Sequence, residues 1–172
     1  MIETEVKFRL PRAEFLKRLE IAENKFGNSS ASTQYDILFD NPKLKLRRNG
    51  KVLRLRTEGS KHYLTWKGKQ LGKKQKYKIK EEIEIEVSEY KKVLAILKKL
   101  GFVKSMVIKK QRQLFLMNKC KVCFDEVAIL GNFIEIEGNK ASIENMIKIL
   151  NLQGEQRITK GYAQLMGSLR DM

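Results

Sequence analysis

Charged and apolar residues alternate along several short stretches of this chain, and that alternation limits its fold more than any other feature. Near the start, Glu3, Glu5 and Lys7 occupy every second position. Side chains at alternate positions of a β-strand point to one face, so these three would share a face opposite Ile2 and Val6. A single strand of this kind fits a solvated sheet surface. Residues 78–87 and several later stretches repeat the pattern, and so many charged strand faces are harder to explain as solvated sheet surface.

Hydrophobic periodicity and turn signals predict about eight strands and three or four helices. The predicted strands cover 1–10, 34–40, 52–57, 61–67, 78–87, the region around 110–114 within 103–118, 121–128 and 133–137. The first predicted helix begins at Pro11 and ends at about Phe26. The second begins after Ser88 as its N-cap, the third spans 141–150, and the last is short and begins after Thr159. Residues 27–33, 43–49 and 68–76 are predicted as a polar loop, an irregular basic segment and a lysine-rich loop, and Asn118-Lys119 as a turn.

The helices carry apolar stripes that must be buried against other apolar surface. In the helix after Ser88, the stripe predicted to be buried consists of Val93, Leu94, Ile96, Leu97 and Leu100. If helices cover the apolar faces of a closed sheet, the charged strand faces line its interior. The opposite arrangement, with the charged faces outside, stays open on patterning alone. The residues predicted to face inward are Glu3, Glu5, Lys7, Arg9, Arg54, Arg56, Lys67, Lys80, Glu82, Glu84, Lys110, Arg112, Asp125, Glu135 and Glu137.

A charged interior of this kind has to be wet, and its charges have to be paired, because burying an unpaired charge costs several kcal/mol. Carboxylate clusters with few His or Cys residues suit Mg²⁺ or Mn²⁺. Clustered Lys and Arg suit a polyanion, since a guanidinium recognises phosphate with two hydrogen bonds. Together they predict a nucleotide or polyphosphate site.

Composition leaves nucleic-acid binding as a rival. The 172 residues carry a formal net charge of +16, which attracts polyanions in general. The loop from Lys69 to Lys76 is a further basic segment. No apolar run is long enough to span a membrane, so we expect a cytoplasmic protein with no membrane partner. Cys120 and Cys123 are interpreted as ordinary thiols and His62 as a residue without a catalytic role.

Several motifs, in order, resemble the CYTH superfamily, the triphosphate tunnel metalloenzymes. The motifs are Glu3-x-Glu5-x-Lys7, the strand at 35–40, Leu53-Arg54-Leu55-Arg56, Leu64-Thr65-Trp66-Lys67-Gly68, Lys80-x-Glu82-x-Glu84, Lys110-x-Arg112, and the segments 124–127 and 130–137. The last two are similar to the class IV adenylyl cyclase branch. Lys80 departs from the usual pattern, in which the family has Arg. The resemblance spans nearly the whole chain and implies one CYTH domain over 1–172.

The resemblance implies an α+β fold, a closed eight-stranded antiparallel β-barrel with helices packed outside. It implies Mg²⁺ or Mn²⁺ and a triphosphate substrate such as ATP, tripolyphosphate or thiamine triphosphate, and a homodimer. The implied metal ligands are Glu3, Glu5, Glu135 and Glu137, joined by Glu82 and Glu84 unless these two hold basic residues in place. The implied phosphate-binding residues are Lys7, Arg54, Arg56, Lys67, Lys80, Lys110 and Arg112. Lys7, Glu5 and Asp125 are candidate catalytic residues, Asp125 without a defined role.

Three functions follow as expectations. The first is a class IV adenylyl cyclase, which converts ATP to cyclic AMP and pyrophosphate. The second is a tripolyphosphatase, or a thiamine or nucleoside triphosphatase, on the same scaffold. The third is a basic polyanion- or nucleic-acid-binding module without catalysis, ranked last because the acidic faces would oppose a nucleic-acid backbone.

Overall fold

Eight antiparallel strands form a closed barrel in the computed structural model, which describes residues 1–72, 76–117 and 119–170. The strands are β1 (Ile2–Leu10), β2 (Ser30–Asp40), β3 (Val52–Glu58), β4 (Lys61–Gln70), β5 (Lys78–Glu86), β6 (Val103–Met117), β7 (Cys120–Val127) and β8 (Gly131–Gly138). Their order around the barrel is β1-β5-β4-β3-β2-β6-β7-β8, and β8 pairs with β1 to close it. The predicted fold class is confirmed.

Five helices accompany the strands in the described part of the chain. They are α1 (Arg12–Phe26), α2 (Lys45–Arg48), α3 (Tyr90–Lys99), α4 (Lys140–Ile149) and α5 (Tyr162–Arg170). Gly27 ends α1 with a φ of 73°, a value that glycine adopts without steric cost. The Asn139 side chain caps α4 by accepting a hydrogen bond from the Ser142 amide. No described helix is both long and apolar enough to cross a membrane.

The main hydrophobic core lies outside the barrel, between its wall and two helices. Val6, Phe8 and Ile136 project outward from β1 and β8 and are fully buried. Phe15 of α1 and Ile147 of α4 pack against the same cluster. Burying each large apolar side chain contributes about 2 kcal/mol. Because the outer faces are apolar and covered here, the charged faces of the same strands point into the barrel, as the pattern predicted.

On the opposite side of the barrel, the helical cover is incomplete. Leu97 of α3 is buried in a second cluster with Leu55 of β3. Ile96 and Leu100, which the apolar stripe predicted to be buried, are 56% and 67% exposed. This prediction was wrong because α3 has only ten residues and its stripe is wider than the surface it meets. Ile83 of β5 is also 55% exposed.

Several element boundaries differ from the predicted ones. The predicted polar loop 27–33 contains the start of β2, because residues 30–33 pair with β6. The irregular basic segment contains α2, whose Leu46 and Arg47 amides donate to the Asp40 carboxylate. The residue before α3 is Glu89 rather than Ser88, and it makes no side-chain capping bond. Lys73 and Lys74 of the lysine-rich loop, and Asn118 of the predicted turn, lie outside the described residues.

Candidate functional site

A cavity of about 810 Å³ lies inside the barrel, lined by inward-facing residues from all eight strands. Of the predicted site residues, those that line it are Glu3, Glu5, Lys7, Arg54, Arg56, Lys67, Lys80, Glu82, Glu84, Lys110, Arg112, Glu135 and Glu137. Asp125 is fully buried and lies behind this lining. Arg9, which the alternation placed inside, is exposed near the end of β1, where it stacks on Phe133.

Strand register brings these charges together in cross-strand pairs. Glu5 and Lys7 of β1 lie opposite Glu137 and Glu135 of β8. On the other side of β1, where β5 and then β4 follow, Lys67 of β4 lies opposite Glu82 of β5. Directly opposed residues in an antiparallel pair have Cβ atoms about 5 Å apart. Residues that are far apart in sequence therefore become near neighbours on the cavity wall.

Two lysines each lie between two carboxylates. The Lys7 ammonium binds Glu5 and lies 2.7 Å from Glu135. The Lys67 ammonium lies 2.8 Å from Glu3 and 2.9 Å from Glu82. Burial alone would lower the pKa of Lys7, but Glu135 and Glu5 outweigh it and raise that pKa above its usual range. Lys7 is therefore always charged at physiological pH.

Glu3 has an unusual environment for a carboxyl group. Burial, reinforced by the nearby Glu5 carboxylate, raises the pKa of Glu3 to about 7, although Lys67 opposes the change. Glu5 itself behaves in the opposite way. Burial works against its ionisation, but Lys7 and Lys78 hold the pKa of Glu5 well below its usual range. An added cation beside Glu3 would favour its ionised form.

A second charged group surrounds Asp125. Arg112 donates two hydrogen bonds of 2.6 Å to its carboxylate, and the Lys110 ammonium lies 3.1 Å from Oδ2. The Tyr162 hydroxyl donates a bond of 2.7 Å to the same oxygen. Burial opposes the charge, but Lys110 and Arg112 lower the pKa of Asp125. Its Oδ2 accepts from all three side chains, and its Oδ1 accepts the second bond from Arg112.

A third group involves the paired arginines of β3. Arg56 donates two hydrogen bonds to Asp36, of 2.7 and 2.8 Å. Arg54 lies 3.6 Å from Asp36 and 3.1 Å from Glu84. Both guanidinium groups thus have fixed directions along the cavity wall. Fixed guanidinium groups suit the recognition of phosphate oxygens, since little side-chain entropy remains to be lost.

Sequence reasoning missed three side chains that complete these groups. Asp36 lies on a strand that was predicted without a site residue, and the two-residue spacing from Gln34 to Asp36 to Leu38 could have revealed its face. Lys78 shares the predicted inward face of β5 and lies 2.8 Å from Glu5. Tyr162 comes from a helix, and no local pattern in the sequence indicates that its side chain reaches the barrel interior.

The sequence model of the CYTH domain family matches residues 1–162. The chain belongs to the CYTH family. A Methanocaldococcus jannaschii protein, provisionally named an adenylate cyclase, is 30% identical over 97% of this chain and 99% of its own length. The match ends at Tyr162, and the extent of one domain over 1–172 stays a prediction.

Solved structures of similar proteins agree with this CYTH assignment. The PH1819 protein of Pyrococcus horikoshii OT3 has a TM-score of 0.79 and 26% identity, covering 96% of this chain and 98% of that one. A Hippeastrum protein, HpAC1, provisionally named an adenylyl cyclase, is described as having a dominant triphosphatase activity. It has a TM-score of 0.66 and 19% identity, covering 93% of this chain and 90% of that one. At that identity the likeness concerns the fold alone.

CYTH triphosphate tunnel enzymes generally depend on a divalent metal, and the donor chemistry of this cavity fits one. Mg²⁺ and Mn²⁺ prefer carboxylate oxygens. Among the described residues, no three His, Cys, Asp or Glu side chains are already grouped to hold an ion. Instead, each of the six predicted carboxylates contacts a lysine or arginine. In this arrangement the basic side chains occupy the positions beside the carboxylates that a metal ion would need.

The two cysteines fit the interpretation as ordinary buried thiols. Cys123 lines the cavity, and burial raises its pKa to about 12. Burial likewise raises the pKa of Cys120 to about 11. Both thiols are therefore protonated at neutral pH and poor nucleophiles. His62, to which no role was assigned, hydrogen-bonds Thr57 and lies against Tyr90.

Proposed function

We propose that this CYTH protein is a metal-dependent enzyme that acts on a triphosphate inside its barrel, and that its first candidate reaction is the cyclisation of ATP to cyclic AMP and pyrophosphate. One observation carries the proposal: lysines and arginines from six strands and carboxylates from five line the same cavity. A cavity of about 810 Å³ lies within the size range of small-molecule sites.

The arginines and the lysines of the cavity are proposed to bind the phosphates in different ways. Arg54 and Arg56 are held by Asp36 and Glu84, which leaves them directed along the wall. Lys7 and Lys67 sit between carboxylates and can turn their ammonium groups to phosphate oxygens. The proposed phosphate-binding residues are Lys7, Arg54, Arg56, Lys67, Lys78, Lys80, Lys110 and Arg112. Their charge offsets that of the triphosphate and of the transition state.

The carboxylates supply the metal site in this proposal. Glu3, Glu5, Glu135 and Glu137 would hold Mg²⁺ or Mn²⁺, with Glu82 and Glu84 nearby. The metal, when bound, neutralises charge on the phosphates. Asp125 differs from the other acidic residues, because it is fully buried and its Oδ2 accepts from Lys110, Arg112 and Tyr162 together. We therefore assign Asp125 to positioning these side chains and not to chemistry on the substrate.

In the cyclase reaction, the ribose 3′-oxygen forms a bond to the α-phosphorus while the bond to the pyrophosphate oxygen breaks. The hydroxyl proton is released, and pyrophosphate leaves. The reaction needs in-line geometry and charge neutralisation more than covalent participation by the protein. Lys7 and Glu5, which lie together at the centre of β1, are the residues proposed to act beside the reacting phosphorus. The cyclase name of the M. jannaschii relative supports this candidate.

The second candidate is hydrolysis of tripolyphosphate, thiamine triphosphate or a nucleoside triphosphate, in which water attacks the terminal phosphorus. The same basic and acidic walls serve that reaction. HpAC1 illustrates that a protein of this fold named for cyclisation can have a dominant triphosphatase activity. The remaining alternative is a polyanion-binding module without catalysis, motivated by the net charge of +16.

A product assay with Mg²⁺ or Mn²⁺ and, in separate tubes, ATP, tripolyphosphate and thiamine triphosphate tests the proposal. Cyclic AMP with pyrophosphate supports the cyclase, whereas orthophosphate supports the triphosphatase. Turnover of none of the three by the folded protein contradicts both.

A pair of variants then tests whether the cavity is the site. Lys110 faces the cavity, and its neighbour Lys109 is exposed on the outside. Lys110→Ala should weaken tripolyphosphate binding at least tenfold, about 1.4 kcal/mol, while Lys109→Ala, with the same change in net charge, should leave it unchanged. Equal effects of the two variants would indicate binding to the outer basic surface.

A further inference from the structure

The first residue of α5 places its side chain inside the barrel. Tyr162 lines the cavity, and its hydroxyl donates a hydrogen bond of 2.7 Å to the buried Asp125 carboxylate. Burial and the adjacent Asp125 charge raise the pKa of Tyr162 well above its usual value. The hydroxyl therefore keeps its proton and acts as a donor. No step of the proposed reaction uses this side chain.

The aromatic ring of Tyr162 contacts two basic side chains at once. The Lys7 ammonium lies 5.2 Å from the ring centroid and the Lys110 ammonium 5.1 Å from it. An ammonium within about 6 Å of a ring face is attracted to it, more strongly where water is excluded. The edge-to-face contact with Phe133, at 5.2 Å, fixes the ring plane. The ring thus restricts where both ammonium groups can lie.

The backbone before Tyr162 is attached to the strand that carries Lys7. Ile158 and Lys7 exchange two hydrogen bonds, with the Lys7 amide 3.1 Å from the Ile158 carbonyl oxygen and the Ile158 amide 2.8 Å from that of Lys7. At the start of α5, the Gly161 amide donates to the Gln164 side chain. The Tyr162 ring is therefore fixed relative to Lys7 by main-chain contacts as well as by its own.

We propose that Tyr162 is a positioning residue for triphosphate binding, which holds the ammonium groups of Lys7 and Lys110 and the Asp125 carboxylate in their working arrangement. The inference rests on the proposed function, because it assigns Tyr162 a task in that site. The role goes beyond packing: the ring also lies against the hydrophobic cluster that contains Phe133, but its hydroxyl and its face contact the proposed ligand-binding groups.

The chain contains a matched control in Tyr77. Its hydroxyl also donates to a carboxylate, that of Glu144, and its ring lies 5.9 Å from Lys140 and 5.8 Å from Arg157. Tyr77 does not line the cavity. Replacing either tyrosine removes one hydroxyl–carboxylate hydrogen bond and two cation–π contacts. Only at Tyr162 do these contacts involve the proposed phosphate-binding residues.

The test is calorimetric titration of tripolyphosphate, together with kcat and KM for whichever substrate the product assay shows to be turned over. Tyr162→Leu should weaken tripolyphosphate binding at least tenfold and lower kcat, while Tyr162→Phe, which keeps the ring, should recover most of the affinity and stay about threefold below the wild type. Tyr77→Leu should lower Tm but change neither affinity nor kcat. A folded Tyr162→Leu variant with wild-type affinity and kcat would overturn the inference. If Tyr162→Leu does not fold, Tyr162→Phe provides the test. A Tyr162→Phe variant with the affinity and kcat of the wild type would then overturn the inference. Absence of binding of both tripolyphosphate and ATP by the wild type would instead contradict the proposed function.

Discussion

Arg112 and Asp125 lie directly opposite each other on β6 and β7, and two hydrogen bonds of 2.6 Å join their side chains. The carboxylate is fully buried and also accepts from Lys110 and Tyr162. One negative charge therefore orients two positive side chains that line the cavity. Removing that charge would leave both of them with less compensation in a region of low dielectric constant.

Asp125→Asn should lower the free energy of unfolding at pH 7 by about 3 kcal/mol, because it keeps the side-chain volume but removes the buried counter-charge. Urea denaturation measures the difference. Glu126→Gln is the matched control, since Glu126 is the next residue, carries the same charge and has a side chain 43% exposed. Its effect should stay below about 1 kcal/mol. Similar losses in the two variants would contradict the importance assigned to Asp125.

Triphosphate affinity should decline as the pH rises through about 8. Burial, together with the neighbouring Arg112, lowers the pKa of Lys110 to about 8, and burial with Lys78 lowers that of Lys80 to about 8. Both ammonium groups are charged below this pH and lose their charge above it, so their attraction for phosphate is present below pH 8. Titrations of tripolyphosphate between pH 6.5 and 9.5, roughly 1.5 units on either side of that pKa, measure the decline.

Lys110→Arg separates this effect from ionisation of the ligand itself. A guanidinium stays charged over the whole pH range, so the variant should lose affinity less steeply than the wild type. The remaining slope would come from Lys80 and from the ligand. Identical pH profiles for the two proteins would show that Lys110 does not titrate in this range.

The inward faces could be predicted from sequence because strand alternation is local. Residues two apart share a face, so the charges of residues 3–7 and 82–84 were assigned to the same side before any pairing was known. The partners could not be predicted in that way. Lys67 binds Glu3 across 64 residues of chain, and that contact depends on strand order and register, which local periodicity does not contain.

The errors have equally physical causes. A helical stripe reveals which face is apolar but not how much surface it will meet, so Ile96 was assigned to the core although it is 56% exposed. Tyr162 reaches the cavity next to the pairing of Ile158 with Lys7, a long-range contact that no local pattern reveals. Asp36 was missed for a different reason. The two-residue spacing along β2 could have assigned its face, but that face also carries an apolar residue and lacks the row of charges that marked the other strands.

Gly138 has no room for a side chain at the point where β7 and β8 meet. A Cβ atom there would lie 2.6 Å from the Lys119 carbonyl oxygen and 3.3 Å from the Cys120 Cα, both in the main chain. Gly138→Ala should therefore destabilise the protein by about 1–3 kcal/mol through a shift of the backbone. At Gly154 a Cβ would meet nothing within 4 Å, so Gly154→Ala should leave Tm unchanged or raise it. A harmless Gly138→Ala would contradict the close approach of the two strands.

Lys67 should have opposite effects on the binding of metal and of triphosphate. Its ammonium lies between Glu3 and Glu82, at 2.8 and 2.9 Å, where it satisfies two carboxylates that a cation would also need. Lys67→Ala frees both carboxylates and removes one phosphate-binding charge. The variant should bind Mn²⁺ alone several-fold more tightly, because both carboxylates lose their lysine partner in a partly buried site and only the longer contact of Glu82 with Arg54, at 4.0 Å, is left. It should bind tripolyphosphate alone several-fold less tightly, because one charge-assisted contact is lost.

Calorimetric titrations of Mn²⁺ and of tripolyphosphate, each without the other, measure the two effects and need no turnover. Lys61→Ala is the control, since Lys61 lies on the same strand but pairs with Glu86 at an exposed position, and it should change neither affinity. A general loss of structure would weaken the binding of both ligands together, so only opposite changes in the two affinities support the assignment of Glu3 and Glu82 as metal ligands. If Lys67→Ala bound Mn²⁺ less tightly than the wild type, Glu3 and Glu82 would not be metal ligands. Both carboxylates would then stay paired with Lys67 in the active enzyme as well.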